Sequence, residues 1–330
     1  MNLFINYPKW ISPYVFPFTT IIRWYSLMYV FAFVTAWLLL KYILKNEQTS
    51  LVLNQKEGED VELILAIAVS LIIGARLGSC LIYSGTYYYK HPLQIFWPFN
   101  NGKFVGLPGM SYHGGVIGAI VGALIYSKQK KICFSNIMDT LLCCVPFAYT
   151  WGRLGNFLNA ELYGRVTLSP IGMVFPENST ELFPITLPGI KEIMDKTGVI
   201  PNGSYVNLPR HPSQLYEMFF EGLFLGAIMW FVIRPRLKAL KPYKASSVYF
   251  ILYGIVRFFI EYFREPDSNL GFIIKGGGAS DTPYLFKSIL NISMGQILCF
   301  IMIVLGSLLM VYSEKKYSSK TKGVKDVRNR

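Results

Sequence analysis

The sequence predicts an all-α integral membrane protein, with about seven transmembrane helices and a small head and arms on the outer side. Three observations carry this expectation. Of 330 residues, 52% are hydrophobic and 15% charged, whereas a soluble chain usually has roughly a quarter of its residues charged. The apolar residues fall in long runs, which suit helical spans better than the alternating strands of a membrane barrel. Lysine and arginine are dense in every second connection between those runs and sparser in the others.

The expected spans lie at roughly 21–44, 61–84, 111–127, 137–158, 212–233, 246–263 and 292–312. Residues 1–20 contain aromatics and prolines but no short apolar core followed by a small-residue cleavage site. No cleaved signal peptide is expected there, and the first span serves as its own insertion signal. On the second span Gly74 and Gly78 are four apart, as are Gly114, Gly118 and Gly122 on the third. Small residues at that spacing let helices approach closely in lipid, so packing is the expected role. The third and sixth spans are short or interrupted by Gly, Arg and Glu. The fourth leads into Gly152-Arg153-Leu154-Gly155-Asn156-Phe157-Leu158-Asn159-Ala160-Glu161.

Residues 159–211 hold Pro170, Pro176, Pro184, Pro188, Pro201 and Pro209 with scattered glycines, a composition expected of an ordered cap. Residues 85–111 and 264–291 supply arms around it. The organisation read from this is 1–158 for spans one to four with their arms and 159–211 for the head. Spans five to seven occupy 212–312, and a basic tail occupies 313–330.

The formal charge of +13 is unevenly spread. Eighteen of the lysines and arginines, among them Lys56, fall in the tail and in the connections after spans one, three and five; eleven fall on the opposite side. Positive residues in short loops stay cytoplasmic. The N-terminus and the 159–211 segment are therefore expected outside and the C-terminus inside. The tail adjoins a span and no recognition module accompanies it, so its partner is anionic lipid and not nucleic acid. Cys80, Cys133, Cys143, Cys144 and Cys299 form no CxxC, and none lies in 159–211. No disulfide framework or zinc site is indicated.

Ionisable groups at the edge of a membrane span are expensive to bury, and this marks them as functional candidates. Arg153 and Asn156 are three apart and share a helix face, with Asn159 and Glu161 just beyond. Arg257 and Glu261 are four apart on the sixth span, followed by Arg264. Tyr25, His113 and His211 begin the first, third and fifth spans at the same outer level. Each has a plainer reading when taken singly. Arg257 with Glu261 is most often a helix-internal ion pair, His113 an interfacial histidine, Tyr25 part of an aromatic belt. Taken together they resemble an anion site, because an arginine fork suits phosphate oxygens. At headgroup level the first phosphate met is that of a phospholipid. Two rivals remain, an anionic-solute transporter and a phospholipid-binding protein without chemistry. The transporter reading predicts charges at several depths, whereas these gather on one side.

The run 152–164, GRLGNFLNAELYG, resembles the signature of bacterial prolipoprotein diacylglyceryl transferases. Trp24–Tyr29, Gly109–Gly115, Arg210–Glu217, Arg257–Asp267 and Ile292–Gln296 match the family pattern in order. Arg23 and Ser26 stand where that pattern has histidine and glycine. The resemblance implies a multi-pass enzyme of the bacterial inner membrane with seven spans and an outside head over its site, and no metal or organic cofactor. It implies transfer of the diacylglyceryl group of phosphatidylglycerol to the lipobox cysteine of prolipoproteins. The products are a thioether and glycerol 1-phosphate.

Sulfur must attack an sp³ carbon as a phosphate ester leaves, so the chemistry needs a thiolate and a stabilised leaving group. His113 is the expected general base, since its ordinary pKa suits proton transfer near neutrality. Arg153 and Arg257 are assigned to the phosphate, and Glu161 and Glu261 orient them. Asn156 and Tyr25 hydrogen-bond the lipid, and Gly164 permits a close turn. Asn159 and Arg264 complete the expected binding set.

Overall fold

A chain in lipid can satisfy its backbone polar groups only within helices or closed sheets. The computed structural model accordingly shows a mostly helical chain. It describes residues 4–16, 18, 22–46, 58–84, 86–100, 102–104, 106–107, 109–266, 271–277, 283 and 285–328. Asp267, at the end of one family stretch, and Lys56, in the first basic connection, lie outside the described residues. So do the side chains of the tail from residue 317 onward.

The helices are α1 (Trp24–Lys45), α2 (Glu59–Ile82), the short α3 (Tyr87–Lys90), α4 (Tyr112–Lys130), α5 (Phe134–Leu141) and α6 (Val145–Leu158). They continue with α7 (Ile190–Thr197), α8 (Ser213–Arg236), α9 (Lys244–Ile260) and α10 (Met294–Arg328). Among the described residues, four of them are long and apolar enough to cross a membrane: α1, α2, α8 and the Met294–Lys316 part of α10. Their outward faces carry exposed Val34, Leu38, Leu65, Val69, Leu305 and Leu308, as lipid-facing surfaces do.

The fourth expected span, 137–158, is not one helix. The chain leaves α5 at Leu141 and restarts as α6 at Val145. Pro146 explains the break: it has no N–H to donate, and its ring would clash with the carbonyl four residues earlier in an unbroken helix. The first turn of α6 tolerates the same proline.

The glycine expectation holds. A Cβ on Gly74 would stand 2.4 Å from the Gly114 carbonyl, and one on Gly118 would stand 2.1 Å from that of Ser70. The backbones of α2 and α4 therefore touch. At the end of the bundle where α1 finishes, polar contacts tie successive helices. Trp37 Nε1 donates to Asp60 at 2.8 Å, and Lys130 pairs with Glu62 at 2.7 Å. Buried Asp139 accepts from the Ser246 and Tyr243 amides at 2.8 and 2.7 Å, which caps α9. A core of Leu40, Ile43, Leu63, Ile137, Leu225 and Met229 fills this end.

At the opposite end the chain is not wholly helical. Short strands pair there: β1 (Ile5–Asn6) with β4 (Met173–Val174), β2 (Phe99–Asn100) with β3 (Lys103–Phe104), β5 (Phe183–Pro184) with β6 (Tyr205–Val206), and β7 (Phe272–Lys275) with β8 (Asn291–Ser293). The 159–211 segment has its own core of Val166, Phe183, Ile190, Ile193, Val206 and Leu208. A second cluster, Tyr7, Phe157, Ala160, Met173 and Phe175, seats that segment on the end of α6. There the Tyr7 hydroxyl donates to the carbonyls of Phe157 and Leu158 at 2.9 and 3.2 Å. Arg76 is buried near the end of α2 and donates to the carbonyls of Ile95 and Gly109, which pins the arm that follows.

Candidate active site

The last two turns of α6 point Arg153 and Asn156 the same way, and Arg153 Nη1 reaches Asn156 Oδ1 at 3.5 Å. Beyond Leu158 the chain reverses sharply, with Ala160 and Leu162 both left-handed at φ 51° and 55°. Such values cost non-glycine residues about 1–3 kcal/mol each and persist only where the surroundings enforce them. Here the enforcement comes from α8. Its buried Ser213 donates to the Leu162 carbonyl at 3.2 Å, and buried Gln214 donates to that of Glu161 at 2.7 Å. The reversal carries Glu161 back to accept from Asn156 Nδ2 at 2.9 Å.

A fully buried carboxylate, Glu217 of α8, joins three arginines. Its Oε2 lies 2.8 Å from Arg153 Nε and 2.9 Å from Arg257 Nη1, and its Oε1 lies 2.7 Å from Arg264 Nη1. Arg257 also meets Glu221 at 3.3 Å and Glu261 at 3.0 Å. Arg264 Nε approaches Glu261 at 3.4 Å. The Tyr149 hydroxyl accepts from Arg153 Nε at 2.5 Å and donates to Glu221 at 2.5 Å. Three guanidinium groups thus balance three carboxylates. Removing each ion from water costs several kcal/mol, and mutual pairing of this density is what offsets that cost.

The supporting residues leave room for these contacts. A Cβ on Gly295 would stand 2.4 Å from Glu261 Oε1, so glycine lets α10 pass beside that carboxylate without displacing it. Ser293 donates to Glu261 at 3.2 Å, and Gln296 accepts from the Ser293 amide at 3.0 Å. A Cβ on Gly222 would stand 2.2 Å from Thr150 Oγ1, which brings α8 against α6 beside Tyr149. Above the cluster, buried Arg165 donates to the carbonyls of Arg264 and Glu261 at 3.0 and 3.1 Å. Arg210 is also buried and pairs with Glu265 at 2.7 Å, its guanidinium over the rings of Tyr163 and Phe183. Burial pushes the Glu265 carboxyl up against the opposite pull of Arg210. Burial, with the nearby charge of Arg165, pushes His211 down to about 4, and its Nδ1 lies 3.3 Å from the Tyr216 hydroxyl.

The structure therefore brings together Arg153, Asn156, Glu161, Arg257, Glu261 and Arg264. Tyr25 packs beside them, its Cα 3.5 Å from where a Gly155 Cβ would stand, but its hydroxyl meets that of Tyr29 at 2.9 Å. Asn159 keeps a buried Oδ1 that has no hydrogen-bond partner among the described residues. Gly164 is a point of close approach rather than a turn: a Cβ there would lie 2.1 Å from the Phe263 carbonyl. His113 is exposed in the first turn of α4, its ring beside that of Tyr112. Glu217, Glu221 and Tyr149 are site residues the sequence reading left without a role. The signal was available, since two glutamates four apart within an apolar span carry the same burial cost as the arginines.

The family model for prolipoprotein diacylglyceryl transferase matches residues 13–312. A phosphatidylglycerol–prolipoprotein diacylglyceryl transferase of Treponema denticola is 41% identical over 98% of this chain and 99% of its own length. The protein of that name from Treponema pallidum is 42% identical over 92% of this chain and 93% of its own. One from Campylobacter jejuni is 37% identical over 88% of each. With the match covering both the arginine cluster and the segments that brace it, the chain belongs to the prolipoprotein diacylglyceryl transferase family.

Proposed function

We propose that the chain transfers the diacylglyceryl group of phosphatidylglycerol to the lipobox cysteine thiol of prolipoproteins, in the inner membrane of a bacterium. The observation that carries this reading is the buried arginine–glutamate cluster, with the fork of Arg153 still open on one side. Arg153 spends its Nε on Glu217 and Tyr149, and among the described residues its Nη2 has no partner. That edge of the guanidinium, beside Asn156, is suited to a phosphate monoanion.

In the reaction the thiol proton goes to a base and sulfur attacks the sn-3 carbon of the diacylglyceryl group. The carbon–oxygen bond to phosphate breaks, and glycerol 1-phosphate leaves with the electron pair. Negative charge grows on the phosphate in the transition state, where prepositioned donors stabilise it most. Arg153 supplies those donors. Arg257, ringed by Glu217, Glu221 and Glu261, acts as a positioning residue through Glu217, the carboxylate that pairs with Arg153. His113 takes the thiol proton from the α4 side of the site.

The same reading gives seven crossings: α1, α2, α4, the α5–α6 pair, α8, α9 and α10. The 159–211 segment then forms an outside head, with the N-terminus outside and the C-terminus in the cytoplasm. Its support is the distribution of positive charge, dense at the end where Lys130, Lys241 and Lys244 lie.

The test is the purified full chain in phosphatidylglycerol vesicles, given a lipobox peptide and read by mass spectrometry. A mass gain of one diacylglyceryl group on the cysteine peptide, absent from a serine peptide, is the expected result. No gain, or an equal gain when phosphatidylcholine replaces phosphatidylglycerol, overturns the proposal.

A further inference from the structure

Glu221 is a buried carboxylate that the reaction above does not use. It lies one turn from Glu217 along α8 and is 1% exposed. It is also the least firmly held of the three cluster carboxylates. Glu217 has three arginine nitrogens at 2.7–2.9 Å. Glu261 has Arg257 at 3.0 Å, Arg264 at 3.4 Å and the Ser293 hydroxyl at 3.2 Å. Glu221 has one arginine contact, at 3.3 Å, and the Tyr149 phenol. That phenol is shared: it accepts from Arg153 and donates to Glu221 through one oxygen.

The unliganded cluster is electrically balanced, with Arg153, Arg257 and Arg264 against Glu217, Glu221 and Glu261. A phosphodiester anion arriving at Arg153 adds one negative charge beside the buried Glu217 and Glu221. It also draws on the guanidinium that polarises Tyr149. An extra buried charge is costly unless a nearby group neutralises it. Several groups face Glu221 from the elements packed around it: Tyr149 and Arg153 on α6, Glu217 on α8, Tyr249, Tyr253 and Arg257 on α9, and Cys299 on α10. Of these, Glu217 is the only other carboxylate, and three arginines hold it ionised.

We propose that Glu221 is a proton-storing residue, taking up one proton from solvent when the phosphate of an anionic phospholipid seats on Arg153. No carbon, sulfur or phosphorus bond changes in this step. The inference rests on the reading of Arg153 as the phosphate contact, and it assigns the cluster a second duty, offsetting the charge that the phosphate adds to its ion pairs. Tighter lipid binding at lower pH follows, because protons and lipid then bind together.

The test is calorimetric titration of the full chain in neutral detergent with dioctanoyl phosphatidylglycerol. Two buffers of different ionisation enthalpy report the protons taken up. The expected result is uptake of about one proton per lipid by the wild type, with affinity falling as pH rises. Glu221→Gln mimics the protonated group and is expected to bind the lipid without uptake and without that pH dependence. Binding by the wild type with no uptake overturns the proposal and leaves the phosphate reading standing, and so does equal uptake in Glu221→Gln. Since the wild-type measurement suffices, a variant that fails to fold does not shelter the idea. Glycerol phosphate forms a second arm, in which uptake equal to that seen with the lipid overturns the assignment to a lipid headgroup. Failure of the wild type to bind the lipid at all overturns the phosphate reading and this proposal together.

Discussion

Arg153 and Arg257 carry the same charge in one cluster, yet their surroundings give them different work. Arg153 keeps part of its fork open, whereas Arg257 is surrounded by three carboxylates. Lysine at position 153 keeps the charge but loses the planar fork. Arg153→Lys is expected to lower kcat/KM on the order of 100-fold, the effect of removing a transition-state donor, with the melting temperature little changed. Arg257→Lys is expected to lower the melting temperature as well, since it strands buried carboxylates. Wild-type turnover in Arg153→Lys removes the phosphate contact from the mechanism. His211 gives a separate prediction outside the membrane. Its folded pKa, near 4, lies below the ordinary value of 6.5, so the unfolded chain takes up a proton over that interval while the folded chain does not. The stability it contributes is complete above pH 6.5 and is lost as pH falls toward 4. The loss amounts to about 3 kcal/mol. Thermal unfolding of His211→Gln between those pH values is expected to show a shallower acid loss than the wild type. Parallel curves contradict it.

At the level of elements, the arrangement depends on how closely helices can approach. Gly222 lets α8 touch α6 at Thr150, and this sets Glu217 and Glu221 opposite Arg153 and Tyr149. Gly222→Ala is expected to spread the two helices at a cost of about 1–3 kcal/mol, the usual range for overpacking. Activity should fall further than stability, because the ion pairs move with the helices. Removing the obstruction in a Gly222→Ala, Thr150→Gly double variant should restore part of both. A double variant no better than the single one rejects the steric account. Glycines at this spacing on α2 and α4 were legible as packing residues from repetition along one span. Gly222 and Gly295 were not, because the groups they make room for, Thr150 and Glu261, lie on other helices. The break between α5 and α6 was also missed, although Pro146 marks it. An apolar run of spanning length hid a helix that stops and restarts.

Across the whole molecule, the proposed topology predicts which segments each aqueous phase can reach. A cysteine introduced at Ser204, between β5 and β6, is expected to react with an impermeant maleimide in intact cells. One at Lys238, just beyond α8, is expected to react only after permeabilisation. The reverse pattern inverts the proposed orientation, and reaction of both in intact cells rejects the seven crossings. Accessibility of the native Cys133, which is exposed in the structure, serves as an internal marker for the basic side.

Helices apolar enough to cross a membrane and the family were both readable along the chain. Apolar run length, loop charge and contiguous motifs are local properties, and they survive without knowledge of how helices rotate. The face shared by Arg153 and Asn156 was readable for the same reason, since helical spacing places residues three apart together. The partners of the arginines were not. Glu217 meets Arg153, Arg257 and Arg264 only because α6, α8 and α9 stand at matched depths and rotations. An ion pair between separate spans depends on those two variables, and nothing in the order of residues along one helix specifies them.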